Sequence, residues 1–253
     1  MGTVIAFLTT LPPEALSLAM IATAYGGVLV MMRLFGLTGL TAFIIVAIIA
    51  ANFQVMKTVQ FSVFAHPVAL GTELFTSTYL AIDVIAENYG AAAARRTIWT
   101  GFACQLLFTF VMLLTLGYHP LPEGAGIEGA LTTLMLPQVG LLAAGLMSYL
   151  LSQHLDVTIF AWLKRRTGGR QLWLRNGASN IAAALLDNTV FSILAWRVFA
   201  AHPIPWDSLI FTYILGTFYI RVFVSLLDTP FIYLSRKVFR MTPHREAAPE
   251  ATA

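Results

Sequence analysis

The chain has 253 residues, of which 58% are hydrophobic and 11% charged, and it carries a formal net charge of +3 at pH 7. With a mean hydropathy of +0.78, this composition excludes an ordinary soluble domain. The apolar runs approach or exceed the length of a membrane-spanning helix, which excludes the short alternating segments of a membrane barrel. We therefore predict an all-α fold, a polytopic membrane helix bundle.

Seven apolar runs follow one another along the chain. They cover residues 14–34, 38–56, 67–86, 97–117, 134–160, 177–199 and 207–236. Glycine and proline mark the breaks between them, at Gly36 to Gly39, His66-Pro67, Leu121 to Gly129, Thr167 to Gly169 and His202 to Pro205. We predict an N-terminal segment with an additional transmembrane helix (1–37), a six-helix core (38–241) and a disordered cytoplasmic tail (242–253).

The basic residues predict an orientation in the membrane. Twelve of the 15 Lys and Arg residues fall on one side of the predicted spans: Arg33, Arg95, Arg96, Lys164, Arg165, Arg166, Arg170, Arg175, Arg236, Lys237, Arg240 and Arg245. The positive-inside rule makes that side cytoplasmic, with the carboxyl terminus inside. Seven spans put the amino terminus outside, whereas six spans remain, with both termini inside, if the first run lies flat. No soluble part remains to bind nucleic acid.

Charged side chains within the apolar runs are the strongest functional signal: Glu73, Asp83, Asp156, Asp187, Arg221 and Asp228. Each costs about 2.5 to 3.5 kcal/mol to insert at membrane depth, so several together are typical of a polar path or ligand site. Asn180 and Asp187, seven residues apart, share a helix face, and Arg221 and Asp228 repeat that spacing. Together with Asn52 and Gln54, these groups favour a transporter.

A structural alternative stays open for the same charges. Arg221 and Asp187 would then pair only to hold helices in register, although such interhelical polar contacts average about 0.6 kcal/mol. For Asp83, Glu87 and Asp156 we expect a position near the headgroups, where water and basic loops satisfy them.

The sequence lacks the common motifs of enzymes and metal sites. It has no phosphate loop, nucleophile elbow or His-Glu-x-x-His helix, and Ser179 near Asp187 is the one hint of a hydrolase. His66, His119 and His202 are separated by long apolar segments, which argues against zinc. We predict a non-enzyme without a metal or cofactor.

Small residues at intervals of four predict close helix contacts. Gly140, Ala144 and Ser148 form one such face, and Ala47 with Ala51 forms another. These faces make a homodimer reasonable.

Three segments resemble the queuosine precursor transporter family, also called the vitamin uptake transporter family. The first is Tyr79 to Gly90, with Asp83 and Glu87, followed by Arg95-Arg96. The second runs from Leu155-Asp156 through Lys164 to Asn176, and continues to Ser179 and Asp187. The third is Arg221 with Leu226-Leu227-Asp228-Thr229-Pro230. With Asn52, the resemblance covers residues from about 45 to 235.

The sequence also departs from the family pattern. Thr76 stands in place of a helix-breaking proline, Ala184 of a glutamine, Asn188 of a threonine and Arg221 of a lysine. The span before residue 38 looks like an addition to the six-helix core. Ala184 and Arg221 are expected to face the cavity, so these departures bear on the exact substrate more than on the family.

The resemblance implies a six-helix bundle in the bacterial cytoplasmic membrane that imports a 7-deazaguanine for tRNA modification. The deazapurine would be 7-cyano-7-deazaguanine or its 7-aminomethyl relative. A guanine-like edge presents paired N–H donors that a carboxylate accepts, and its carbonyl accepts from Arg or an amide. We expect substrate contacts from Asn52, Gln54, Glu73, Phe75, Tyr79, Asn180, Asp187, Asn188 and Arg221, and gating or coupling roles for Asp83, Glu87, Asp156 and Asp228.

A second interpretation stays open for the same chain. It would be the substrate-binding subunit of an energy-coupling-factor-like vitamin importer, and the Ala47 to Ala51 face would dock the partner that supplies energy. The source of energy for transport, whether protons, sodium or simple equilibration, is left undecided by the residues.

Overall fold

The structure is a computed structural model that describes residues 2–54, 57–62, 68–119, 121, 125–135, 139–200, 203–216, 218, 221–222 and 227–241. Its helices are α1 (Gly2–Thr9), α2 (Pro13–Gln54), α3 (Thr72–Asn88), α4 (Ala91–Thr115), α5 (Ala125–Met135), α6 (Val139–Arg166), α7 (Leu172–Ile193), α8 (Trp206–Ser208) and α9 (Asp228–Arg240). Two π-helical stretches, Leu194–Val198 and Leu209–Gly216, extend α7 and α8. A two-residue antiparallel pair joins β1 (Thr58–Val59) to β2 (Val68–Ala69). The predicted all-α fold is confirmed.

The chain divides into two compact units, Met1–Gly90 with Leu227–Ala253, and Ala91–Leu226. The C-terminal helix α9 therefore belongs with the N-terminal helices rather than with its sequence neighbours. In the first unit α9 packs on α2 and α3, and α2 packs on α3. In the second unit α6 packs on α7 and on α4.

Helix α2 is a hairpin of two arms, residues 13–35 and 37–54. Gly36 breaks it with φ 60° and ψ −136°, a conformation that glycine adopts without the strain of a Cβ. A Cβ at Gly39 would lie 2.3 Å from the Met31 carbonyl oxygen, and one at Gly27 would lie 3.2 Å from the Phe43 ring. These contacts between residues 8 and 16 positions apart show that the second arm folds back along the first. The predicted break at Gly36 to Gly39 is confirmed.

The turn between α6 and α7 is also confirmed. Gly168 and Gly169 have positive φ, and the Gly169 amide donates to the Lys164 carbonyl at 2.9 Å, which ends α6. Another predicted break is wrong in part, because α5 begins at Ala125, inside the glycine-rich stretch that we expected to be a loop. The fifth predicted span corresponds to α6, which begins at Val139 rather than near residue 134.

Among the described residues, three helical segments are long and apolar enough to span a membrane: Pro13–Gln54, Ala91–Thr115 and Leu172–Val198. The first contains both arms of the α2 hairpin, so it accounts for the first two predicted spans. His66, His202, most of residues 217–226 and the tail predicted to be disordered (242–253) lie outside the described residues.

Candidate functional site

Glu73 is the acidic group at the start of α3. Gly71, with φ 96°, turns the chain into this helix and places Glu73 in its first turn, where the helix dipole favours a negative charge. The Ser17 hydroxyl on the first arm of α2 donates a hydrogen bond to Glu73 Oε1. Within the described part of the chain, no hydrogen bond or basic partner engages Oε2. Glu73 is therefore held on one carboxylate oxygen, Oε1, by the first arm of α2.

The other candidates in the first unit lie on the second arm of α2 and on α3. The Gln54 amide contacts the Met20 sulfur at 3.9 Å, and Asn52 is half-buried beside it. Phe75 and Tyr79 meet edge to face with ring centroids 6.0 Å apart. Tyr79 is 5% exposed whereas Phe75 is half-buried, so Phe75 is the better placed of the two rings to stack on a ligand.

Tyr25 is a further polar group of this unit that the sequence did not single out. It is fully buried, packs edge to face on Phe231 at 5.0 Å, and its phenol lies close enough to interact with the carboxylates of Asp228 and Glu73. The sequence did carry a signal for Tyr25. It follows Ser17 by eight residues, a spacing that places the two side chains on nearly the same face of a helix.

The second unit contains a buried ion pair. Arg221 Nη1 donates to Asp187 Oδ2, and the side chains are 17% and 3% exposed. The hydroxyl of Ser152 on α6 donates to Asp187 Oδ1 at 3.4 Å. Both Asp187 oxygens thus accept a hydrogen bond within the protein, which leaves each oxygen with less accepting capacity for a ligand than in a free carboxylate. The pairing considered from the sequence is present, and Ser152 is a third member that the sequence did not indicate.

One face of α7 is polar and buried along its whole length. Its buried polar members are Arg175, Asn176, Ser179, Asn180, Asp187, Asn188 and Ser192. These polar residues recur at helical spacing and so form a polar stripe, whereas a helix face in contact with lipid would be apolar. The Asn188 amide donates to the Ile214 carbonyl at 3.4 Å, and Ala184 shares the face. Asn180 and Asp187 are confirmed on the same buried face.

Arg175 corrects the sequence analysis, which counted it among the loop cations. It lies in the first turn of α7, is fully buried, and its guanidinium sits 5.1 Å from the centre of the Phe160 ring. The twelve-residue spacing between Arg175 and Asp187 places them about 120° apart around the helix, so the sequence alone did not put Arg175 on the buried face.

The residues expected to gate or couple transport are more deeply buried than we predicted. Asp83, Asp156 and Asp228 are each 0% exposed, so the expected solvated position is wrong for Asp83 and Asp156. Glu87 pairs with Arg236 of α9, whose Nη2 lies 2.5 Å from Glu87 Oε1, as expected for satisfaction by a basic segment. Beside this pair, the Asn88 amide donates to the Ser235 hydroxyl at 3.1 Å.

Other expectations concern metals and docking faces. Among the described residues no group of three His, Cys, Asp or Glu side chains could hold a metal ion. Ala144 and Ser148 are buried, in line with a close helix contact. Ala47 and Ala51 are 2% and 6% exposed, so this face is not open to dock a partner, contrary to the second interpretation.

The predicted substrate contacts thus fall into two sets. The first unit holds Asn52, Gln54, Glu73, Phe75 and Tyr79, and the second holds Asn180, Asp187, Asn188 and Arg221. Within the sets, direct contacts join Phe75 to Tyr79 and Asp187 to Arg221. Such clustered polar groups in an apolar helical setting suit recognition of a small polar ligand.

Comparison with known proteins points in one direction. Residues 69–235 match a family described as "Putative vitamin uptake transporter". The "Probable queuosine precursor transporter" of Bacillus subtilis (strain 168) is 35% identical over 214 residues, 83% of this chain and 89% of that protein. The "Queuosine precursor transporter" of Escherichia coli (strain K12) is 30% identical over 159 residues, 62% of this chain and 68% of that protein. No solved structure matches the chain.

Proposed function

This chain belongs to the vitamin uptake transporter family, and we propose that it imports a queuosine precursor, 7-cyano-7-deazaguanine or 7-aminomethyl-7-deazaguanine, for tRNA modification. The observation that carries the proposal is the half-buried Glu73 carboxylate, fixed on one oxygen by Ser17. The two relatives named as queuosine precursor transporters support the substrate class.

Glu73 suits the donor edge of a guanine-like ring. That edge presents two adjacent N–H groups, and a carboxylate accepts both with short, charge-assisted hydrogen bonds. Since both oxygens of Asp187 already accept a hydrogen bond, from Arg221 and from Ser152, the more exposed Glu73 is the stronger candidate of the two acids. Phe75, one helical turn away from Tyr79, supplies an aromatic face for the flat heterocycle.

In the second unit, Arg221 is the group best suited to donate to a carbonyl oxygen. Asp187, which itself accepts a hydrogen bond from Ser152, holds Arg221 in place, and the Arg221 side chain keeps 17% of its surface exposed. Asn180 and Asn188 add amides on the buried polar face of α7. Asn52 and Gln54 supply side-chain amides for hydrogen bonds to the substrate in the first unit. We assign these residues to recognition, and Asp83, Glu87, Asp156 and Asp228 to gating or coupling.

The setting follows from the same assignment. The protein lies in the bacterial cytoplasmic membrane with its carboxyl terminus inside, as the distribution of Lys and Arg indicates. It moves its substrate unchanged rather than acting as an enzyme, and it has a domain organisation of a six-helix core, an N-terminal segment and a C-terminal tail. We also propose a homodimer, although Ala144 and Ser148 are already buried within the single chain and would not form its interface.

Uptake of radiolabelled 7-cyano-7-deazaguanine tests the proposal in cells that lack both their own importer and their own synthesis of the compound. Expression of the wild-type chain should restore uptake. The Glu73→Gln protein, inserted at the same level, should lose about 10-fold or more in apparent affinity because an amide accepts one N–H but repels the other. Asp207→Asn, which alters an exposed carboxylate, is the matched control. Wild-type affinity in Glu73→Gln would remove Glu73 from the site.

A further inference from the structure

The first arm of the α2 hairpin contacts polar and aromatic groups of the first unit. Ser17 donates to Glu73, Met20 contacts the Gln54 amide at 3.9 Å, and Tyr25 packs on Phe231 at 5.0 Å. Side chains of this arm are therefore directed at other helices of its unit, and two of them reach residues expected to bind substrate.

We infer that this arm is part of the substrate-recognition machinery, with Ser17 as the residue that positions the Glu73 carboxylate. The inference rests on the proposed function, in which Glu73 receives the donor edge of the deazapurine. It goes beyond the family match, which begins at residue 69 and leaves the arm outside. It also changes the sequence-based picture of the span before residue 38 as an addition to a complete core.

Ser17 acts by fixing which carboxylate oxygen meets the ligand. Its hydroxyl donates to Oε1 of Glu73, which restricts rotation of the carboxylate. Hydrogen bonds to a charged acceptor are stronger than neutral ones, particularly where water is scarce. Both side chains are half-buried, so a ligand can approach while the serine stays in place.

The arm is held firmly enough for this role. Tyr25 is fully buried and packs edge to face on Phe231 at 5.0 Å, which ties the arm to α9. At the other end, Glu14 accepts a hydrogen bond from the Ser62 amide at 2.6 Å. Ser17 lies between these two contacts in the sequence, so the position of its hydroxyl relative to α3 is fixed.

Uptake kinetics of full-length Ser17→Ala and Ser17→Thr in the same cells test the inference. We expect Ser17→Ala to raise the KM for 7-cyano-7-deazaguanine about tenfold with little change in maximal rate, as for a lost hydrogen bond to a charged group. Ser17→Thr keeps the hydroxyl and should restore most of the affinity. The control is Ser77→Ala on α3, whose hydroxyl donates to the Leu74 carbonyl of its own helix at 2.6 Å.

A substrate analogue separates positioning from packing. An analogue that lacks the exocyclic amine presents one donor fewer, so the wild type should take it up more weakly than the parent compound. Ser17→Ala should narrow the difference in uptake between the two compounds, since its Glu73 carboxylate no longer pairs well with the parent compound or with the analogue. A KM equal to that of Ser77→Ala, or a fall in maximal rate alone, would overturn the inference while leaving the proposed function intact. Failure of the wild type to take up the compound would instead contradict the proposed function itself, and this inference with it.

Discussion

The Asp187 and Arg221 pair shows why single residues in this protein are expected to act in groups. Both charges are largely removed from water, with side-chain exposures of 3% and 17%. Bringing them out of water is costly, and their mutual attraction with the Ser152 hydrogen bond offsets that cost. The pair is therefore weak evidence for stability by itself, but losing one partner is expected to be severe.

A first prediction concerns that pair. Asp187→Ala leaves the Arg221 guanidinium buried without its counterion, which should destabilise the protein by about 3 to 5 kcal/mol. The double variant Asp187→Ala with Arg221→Met removes both charges and should recover most of that loss. Thermal unfolding of the purified proteins in detergent measures the difference. Equal losses in the single and double variants would show that the two charges do not depend on each other.

The same double variant separates stability from function. If Arg221 donates to the substrate, the stable but uncharged protein should still fail to take up 7-cyano-7-deazaguanine. Arg221→Lys, which keeps the charge but loses the planar fork of donors, should retain reduced uptake. Normal uptake by the double variant would assign the pair a purely structural role.

At the scale of elements, the α2 hairpin depends on two glycines for different reasons. Gly36 supplies a backbone conformation that a side chain resists, and Gly39 supplies space against the Met31 carbonyl. The hairpin in turn brings Ser17 and Gln54 into the same unit as Glu73.

A second prediction follows for Gly39→Ala. Its Cβ would meet the Met31 carbonyl oxygen at 2.3 Å, so the arms must separate, at a cost of about 1 to 3 kcal/mol. Gly26→Ala is the matched control, because no atom lies within 4 Å of its added Cβ and alanine is favoured over glycine inside a helix. The midpoint of thermal unfolding should fall for Gly39→Ala and should stay unchanged or rise for Gly26→Ala. Equal midpoints would contradict the close approach of the two arms.

The link between α3 and α9 is a further element-scale feature. Glu87 accepts two hydrogen bonds from Arg236, at 3.0 Å from Nε and 2.5 Å from Nη2, and Asn88 reaches Ser235. Arg236 is 39% exposed, so water screens the pair and its contribution should be modest. A double-mutant cycle with Glu87→Gln and Arg236→Gln should give a coupling free energy of about 1 kcal/mol or less. A coupling of several kcal/mol would contradict the screening of this pair through the exposed side of Arg236.

The elements show how far the sequence carries a prediction. Apolar length and glycine placement located the α2 hairpin and the α6 to α7 turn, because these depend on local chemistry. Helix α5 was missed because glycines, which usually mark loops, stand among the apolar residues of this eleven-residue segment. The Ser17 contact to Glu73 joins positions 56 residues apart, and no local pattern reports such a pairing. Likewise, the sequence places Arg175 among the cations of a loop, because the start of α7 at Leu172 is not evident from the sequence.

At the scale of the whole molecule, the distribution of basic residues predicts how the chain lies in the membrane. Arg165, Arg166 and Arg170 are exposed at the α6 to α7 turn, and Lys237 and Arg240 are exposed on α9. Arg175 no longer contributes to that surface charge, since it is buried. The remaining cations still favour the cytoplasmic side for these segments.

Reporter fusions check this orientation. A fluorescent protein joined after Met241 should be fluorescent, and alkaline phosphatase joined there should be inactive, because both fusions would be cytoplasmic. Alkaline phosphatase joined after Tyr118 should be active outside. The opposite pattern would reverse the orientation and with it the assignment of inward and outward ends.

Uptake by the purified chain in liposomes tests the central claim most directly. Vesicles that contain this protein and no other should take up radiolabelled 7-cyano-7-deazaguanine in a saturable way, with competition by the unlabelled compound and reduced affinity for Glu73→Gln. Such a result would also exclude dependence on a separate energy-coupling subunit. Uptake no greater than that of protein-free vesicles, with the reconstituted chain folded and inserted, would contradict its assignment as a self-sufficient importer of queuosine precursors.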